Sequence, residues 1–285
     1  MMKRSLFVVV MIVLGSLLVH AWDGDLEDTL NRHYFGHILN LRQPINATIQ
    51  QYDSQGNIFT ANAPGPWTVY SRVQIRNIRL EPNRLVVEGR RIGMRREPKI
   101  GMLIPVDLKE KVTLQIALSR PLDSEEEFHA ILGRIFAFSR EDFLASLPEF
   151  WQGYVRIYLK TYSDDGNTME FGISESSLKT RSRVEKAPAV SQDSHSETGP
   201  GLKKTTQAAY TSAASSQELT GHVILTITVD ASGRPVNVRL LRPLGLGLDE
   251  SAASTVKDWT FKPATQRGQP IKADAEVAVL FWPHD

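Results

Sequence analysis

Cysteine is missing from all 285 residues, so disulfides, thiolate metal sites, a cysteine nucleophile and a lipid-anchoring cysteine are excluded together. Net charge is almost as absent. The 33 basic residues exceed the acidic ones by one, which gives no whole-chain case for a nucleic-acid partner. No H-E-x-x-H, G-x-S-x-G or P-loop pattern occurs, and those are the spacings that set a zinc pair, a serine nucleophile or a phosphate cradle. His33 and His37 are four apart, but Gly36 lies between them and no acidic residue has matching spacing. A metal site needs three or four ligands, so the pair reads as structural or surface histidines. Gly245-x-Gly247 lacks the third glycine of a dinucleotide loop and reads as a strand-to-helix breaker. Glu125-Glu126-Glu127 suits the first turn of a helix better than a paired-carboxylate site. Nothing forms a catalytic constellation. The expectation is a chain that is not an enzyme and carries no metal or cofactor.

Long apolar runs are also scarce. One stands near the start, from Leu6 to Val19, after Lys3 and Arg4 and before Val19-His20-Ala21. This is the layout of a secretory signal peptide over residues 1–21. An uncleaved signal anchor is the competing reading, because the run is near the lower limit for spanning a bilayer. Beyond it, 41% hydrophobic and 23% charged residues are ordinary for a globular chain with room for two domains or one with attachments.

Residues 22–163 carry enough pattern for an α+β domain, antiparallel strands first and helices after. Leu26 to Leu30 opens a short helix, and Ile49 to Phe59 reads as a hairpin around Asp53–Asn57. Trp67, Val69, Val73 and Ile75 suggest a strand, continued by Ile78 and Leu80 after a phase change that a β-bulge explains. Val112, Leu114, Ile116 and Leu118 alternate cleanly. Ser124-x-x-Glu127 is a capping box before the stripe Phe128, Ile131, Leu132, Ile135 and Phe136. Ser139 can cap a second helix, and Phe150-Trp151-x-x-Tyr154 leads into the apolar run Val155 to Leu159. Arg84, Arg90, Arg91, Arg95, Arg96 and Lys99 gather charge on one hairpin, read first as a solvated face and second as a contact for anionic lipid or an acidic partner.

Residues 164–216 are poor in large apolar side chains and cannot bury enough to offset their ordering entropy. They read as a flexible Ser/Thr/Lys-rich tether, with a mean reach on the order of 40 Å for about fifty residues. Proline is rare in it too, only Pro188 and Pro200, so it is not a stiff spacer.

Residues 217–285 have the clearest pattern, a β-β-α-β unit. Val223, Leu225, Ile227 and Val229 share one face of a first strand, with His222, Thr226, Thr228 and Asp230 on the other. Asp230-Ala231-Ser232-Gly233 is a hairpin loop, and Val236, Val238 and Leu240 mark the second strand's inner face. A helix follows from Leu248, capped by Asp249 and favoured by Glu250, with Ala252, Val256 and Trp259 as its stripe. Phe261 and Pro263 end it, and Gly268-Gln269-Pro270 turns the chain into a strand from Ile271 to Trp282. Ala273, Ala275, Val277, Val279 and Phe281 share one face of that strand, and Lys272, Asp274 and Glu276 the other.

The spacing of Gly221-His-Val, Val229-Asp230 with Gly233, Gly247-Leu248-Asp249, Ala252-Ala253, Trp259-Thr-Phe261-Lys-Pro263-Ala264, Gly268-Gln-Pro270 and Val279-Leu-Phe281 resembles the C-terminal domain of TonB-family energy transducers. In one departure, the Tyr-Pro pair frequent upstream in that family is Tyr210-Thr211 here. The resemblance implies a bacterial, periplasmic module that binds a short segment of outer-membrane TonB-dependent receptors by strand addition. It implies that Asp274, Ala275, Glu276, Val277, Ala278, Val279, Leu280 and Phe281 form the docking edge. An uncleaved N-terminus would add an ExbB/ExbD-type inner-membrane motor as partner. The alternative is a soluble periplasmic ligand-binding or scaffold protein centred on residues 22–163, with the TonB-like domain as an accessory.

Overall fold

The computed structural model describes residues 24–59, 64–163, 166–172 and 198–283. The leader read at residues 1–21 and residues 173–197 of the tether lie outside them. In the N-terminal part the elements are α1 (Gly24–Tyr34), β1 (Ile38–Leu41), β2 (Ile49–Asp53), α2 (Trp67–Tyr70), β3 (Arg72–Glu81), β4 (Arg84–Arg96) and β5 (Leu103–Ala117). Then come α3 (Glu125–Ile135), β6 (Phe136–Ala137), α4 (Arg140–Ser146), α5 (Glu149–Tyr158), β7 (Leu159–Tyr162) and β8 (Met169–Phe171). The C-terminal part adds β9 (Gly201–Lys204), α6 (Ser212–Ser215), β10 (Gly221–Val229), β11 (Pro235–Arg242), α7 (Leu248–Val256), β12 (Thr260–Lys262), β13 (Ala264–Gln266), β14 (Gln269–Ile271) and β15 (Ala273–Phe281). The architecture is α+β throughout. Among the described residues no helix is long and apolar enough to cross a membrane.

A six-stranded sheet of order β2-β5-β4-β3-β1-β6 forms the N-terminal half. Alternation puts Val73, Ile75, Ile78, Leu85, Val87, Val112, Leu114 and Ile116 into one core with Phe128, Ile131, Leu132 and Ile135 of α3. The caps behave as their sequences require. Ser124 accepts from the Glu127 N–H at 3.2 Å, and Ser139 from the Asp142 N–H at 3.1 Å. The phase change in β3 is a register shift between Ile75 and Asn77.

Two local expectations change, and one unassigned stretch finds its element. Trp67 and Val69 are not in a strand but in the one-turn helix α2, which begins directly after Pro66. The Ser71 hydroxyl donates back to the Trp67 carbonyl at 2.7 Å, and the strand starts only at Arg72. Residues Val155–Tyr158 continue α5, because Trp151, Tyr154 and Val155 form a helical stripe that is buried. The Ile49–Phe59 hairpin is rudimentary, with a single bridge between Tyr52 and Ile58. The main partner of β2 is β5, in parallel register from Ile49↔Thr113 to Asp53↔Ala117.

The C-terminal sheet has the order β11-β10-β15. Val223, Leu225, Ile227 and Val229 are buried under α7, whose Leu248, Ala252 and Val256 face them in the second core. That core does not stop at the C-terminal elements. It runs on into Trp67, Met94, Leu103, Phe143, Trp151, Tyr154 and Val155 of the N-terminal half. The tether is also shorter than read. Within residues 198–216, β9 pairs with β12, Thr211 caps α6, and Tyr210 donates to the Leu219 carbonyl at 2.8 Å. Main-chain pairing and the small buried residues Ala208 and Ala214 supply the order that large side chains do not. At the other end the Gly172 N–H donates to the Tyr158 carbonyl at 2.8 Å.

Candidate docking edge and the seam behind it

β15 is the terminal strand of its sheet and spans nine residues. It pairs with β10 from Val229↔Ala273 to Gly221↔Phe281 with no register shift. Val277, Val279 and Phe281 are buried on the inner face, while Glu276, Ala278 and Leu280 are exposed on the outer one. Asp274 accepts the Thr228 hydroxyl at 2.6 Å and lies 3.6 Å from the Arg239 guanidinium. The start of the edge is therefore tied across all three strands. Among the described residues no strand pairs with the outer side of β15, so a row of main-chain donors and acceptors faces outward. All eight residues from Asp274 to Phe281 lie on this one strand.

The motif residues hold the strand from behind. Gly233 has φ +83°, and a Cβ there would meet the Phe261 carbonyl oxygen at 2.2 Å. The Phe261 N–H in turn donates to the Gly233 carbonyl at 2.9 Å. Only glycine fits that approach. Phe261 lies in β12, Pro263 separates β12 from β13, and Gly268 takes φ +73° in the turn to β14. Leu248 and Ala252 are fully buried. Trp259 is not on the stripe of α7, which ends at Val256, but its indole donates to the Thr206 carbonyl at 3.0 Å.

Asp249 is not the helix cap. Gly247, at φ +81°, holds that position. Asp249 lies one residue inside the helix, has no exposed surface, and accepts the N–H groups of Leu244 and Gly245 at 2.7 Å each. It secures the connection into the helix from within. The second strand also departs from its pattern. Asn237 has φ +51° where the β10–β11 register shifts, so Pro235 and Leu240 are buried and Val236 is exposed.

The opposite edge of the sheet is closed by the N-terminal half. Helix α5 packs along β11. The tip of β4 meets the chain between β11 and α7 as if it were another strand: Arg96 N–H donates to Leu244 O and Leu246 N–H to Met94 O, each at 2.9 Å. Gly245 sits between these bonds at φ +94°, and a Cβ there would lie 2.2 Å from the Met94 oxygen. Leu246 is fully buried and fills the space over Gly93, whose own Cβ would meet it at 2.7 Å. The Gly247 N–H donates to the Thr68 hydroxyl at 2.9 Å, the Thr211 hydroxyl to the Leu246 carbonyl at 2.6 Å, and the Trp151 indole to Glu250 Oε1 at 2.9 Å. Sequence reasoning missed this contact. Its one local signal is a leucine between two glycines, where a plain breaker needs no apolar residue.

Half of the basic hairpin's charges are paired within the hairpin. Arg84 pairs with Glu81, Arg90 with Asp107 and Arg95 with Glu97, and Arg96 donates to the Gly101 carbonyl. Arg91 is buried and donates to the carbonyls of Tyr70, Ile45 and Ala47, and burial lowers its pKa to about 10. His33 contacts Glu125 at 2.8 Å and meets the His37 ring edge-on at 5.8 Å. Among the described residues no three His, Cys, Asp or Glu side chains could share a metal.

Residues 206–282 match the family described as Gram-negative bacterial TonB protein C-terminal. This stretch is a TonB-family C-terminal domain. Such domains are protein-interaction modules of the bacterial envelope. The solution NMR structure of the Pseudomonas aeruginosa TonB C-terminal domain is similar at 16% identity, over 31% of this chain and 91% of that one, with a TM-score of 0.26. The family match, and not that overlap, carries the identification. A comparison with curated proteins found no match. The TonB-type domain begins upstream of β10, taking in Tyr210, whose ring stacks on Phe281 at 6.5 Å. Thr211 thus replaces the expected proline without loosening that corner.

Proposed function

We propose that the chain is a TonB-like periplasmic interaction protein whose β15 edge takes an extended segment of an outer-membrane TonB-dependent receptor as an added strand. The observation that carries this reading is the edge itself, nine residues paired without a shift on one side and open on the other. Main-chain groups then supply the affinity, and alternate side chains from Asp274 to Phe281 set the register. Energy coupling through an ExbB/ExbD-type motor further requires an inner-membrane anchor, and export to the periplasm requires a leader. Residues 1–21 would serve as a cleaved leader, which removes that anchor, or uncleaved as the anchor itself.

A second reading makes residues 22–163 the functional centre of a periplasmic scaffold or ligand-binding protein, with the TonB-type domain as accessory. The seam favours it, because Leu246 and Glu250 fix that domain to the N-terminal half rather than at the end of a reach.

Adjacent residues of a strand point their N–H groups to opposite edges. Of Ala278→Pro and Val279→Pro, one therefore breaks the β10 ladder and the other removes only an outward donor. Titrating the full chain with a receptor-segment peptide by calorimetry separates them. The variant that keeps the wild-type unfolding transition is expected to lose binding. Retained affinity in that variant sinks the docking-edge reading.

A further inference from the structure

The seam holds two neighbouring acids, and among the described residues no cation pairs with Glu250. Asp249 and Glu250 occupy the first turn of α7. Asp249 keeps good acceptor geometry, with two main-chain N–H groups at 2.7 Å and the positive end of the helix dipole beside it. Glu250 reaches across the seam instead. Its Oε1 accepts the Trp151 indole N–H at 2.9 Å, and its Oε2 is sealed from solvent with no hydrogen-bond partner. Trp151 and Trp67 meet edge to face at 5.0 Å, and the Trp67 backbone N–H also favours a charged Glu250.

The titratable and charged groups of every packed element can be named. Asp249 faces Glu250 from its own helix, and Tyr154 comes from α5. From β4 come Arg95, which turns to Glu97 at 3.5 Å, and Arg96, which donates to Gly101 O at 3.1 Å and acts on Tyr154. Trp67 and Thr68 of α2 bring no charge, and Arg239 and Arg242 of β11 are exposed to solvent. The charge that acts on Glu250 is that of Asp249.

We propose that Glu250 is a proton-operated latch, closing the TonB-type domain onto the N-terminal half when protonated and releasing that domain from Trp151 when ionised. Two adjacent carboxylates in a dry seam cannot both keep their charge cheaply. Asp249 has the bonds that sustain one, so the proton goes to Glu250. Burial pushes both carboxyls above their usual range, and the Asp249 charge raises Glu250 further. The sign follows from proton binding. A closed seam with a raised pKa holds a proton that an open seam releases, so closure is fully favoured below the ordinary glutamate value. It weakens as pH rises from there to the raised value, and the penalty is complete above it. The latch is independent of the docking edge.

Hydrogen exchange on the full chain between about pH 5 and pH 9 tests it, with protection corrected for the intrinsic rate at each pH. The seam amides are Arg96, Leu246 and Gly247, and the Ile75 amide, bonded to His37 O, is the reference in the six-stranded sheet. In the wild type, seam protection is expected to fall by up to about tenfold per pH unit within the window, while the reference stays level. Glu250→Gln keeps the shape without the charge and should flatten the slope to the part that the raised Asp249 carboxyl contributes. A level wild-type seam, or the same slope in Glu250→Gln, overturns the latch. If Glu250→Gln leaves the reference amide unprotected, Trp151→Phe takes its place. Losing the indole donor, which favours the charged form, should carry the upper end of the window to higher pH while its start stays put, and an unmoved upper end is equally fatal.

Discussion

β11 and β15 are the two edges of one three-stranded sheet, and the chain treats them differently. β11 is bent by register shifts and lies along α5. β15 is straight in register, and no strand continues the sheet beyond it among the described residues. The six-stranded sheet leaves neither of its own edges so open. On β2, Asp53 N–H donates to Asn57 O and Phe59 N–H to Gln51 O, while β6 is only two residues long. Exposed edges recruit other chains, and proteins usually blunt them. Among the described residues, the edges of the two larger sheets are blunted except at β15, which makes its openness a feature of the design and not of the sheet type.

The contrast can be broken most forcefully at Gly245. Gly245→Val puts a branched side chain at φ +94° against the Met94 oxygen, and the combined strain and overlap should cost about 3 kcal/mol or more. The midpoint of urea unfolding of the full chain reports it, and a cost under about 1 kcal/mol means the seam is loosely fitted. Leu246→Ala empties a fully buried position and should cost about 2–4 kcal/mol. Its affinity for a receptor-segment peptide should stay at the wild-type value, because the two edges are served by different residues. Parallel losses of stability and affinity in this variant remove the distinction between them. Arg239→Ala tests the smallest effect. The Arg239–Asp274 pair is exposed and 3.6 Å long, and such pairs contribute little. No resolvable change in the unfolding midpoint is expected, and a clear drop makes the start of β15 depend on charge.

The strands were readable because one side chain in two is buried. Val223 to Val229 and Val112 to Ile116 announce their faces without help from the rest of the chain. The two serine caps were readable for the same reason, since a cap acts over three residues. What escaped depends on contacts distant in sequence. Gly247 finds Thr68 across 179 positions, and Trp151 finds Glu250 across 99. No local period records such a meeting. Asp249 misled because an acid at a helix start is usually a solvent-side cap, whereas the bend at Gly245 and Gly247 turns this one inward. Trp67 and Val69 misled because alternation over three residues is shared by a strand and by a helical turn set by a preceding proline. The docking edge lay between these cases: its alternation was plain, but its isolation follows only from the strand order.

Gly172, just before residues 173–197, is hydrogen-bonded to α5, and β9, just after them, is paired with β12. Both moorings belong to a body joined by one hydrophobic core. The segment therefore closes a loop, and closing a loop costs free energy that changes only slowly with its length. A backbone cut within it severs the covalent chain while the contacts of that core among the described residues stay in place. The two pieces then form a heterodimer, and the dissociation constant of that pair becomes a direct measure of how firmly the halves hold each other.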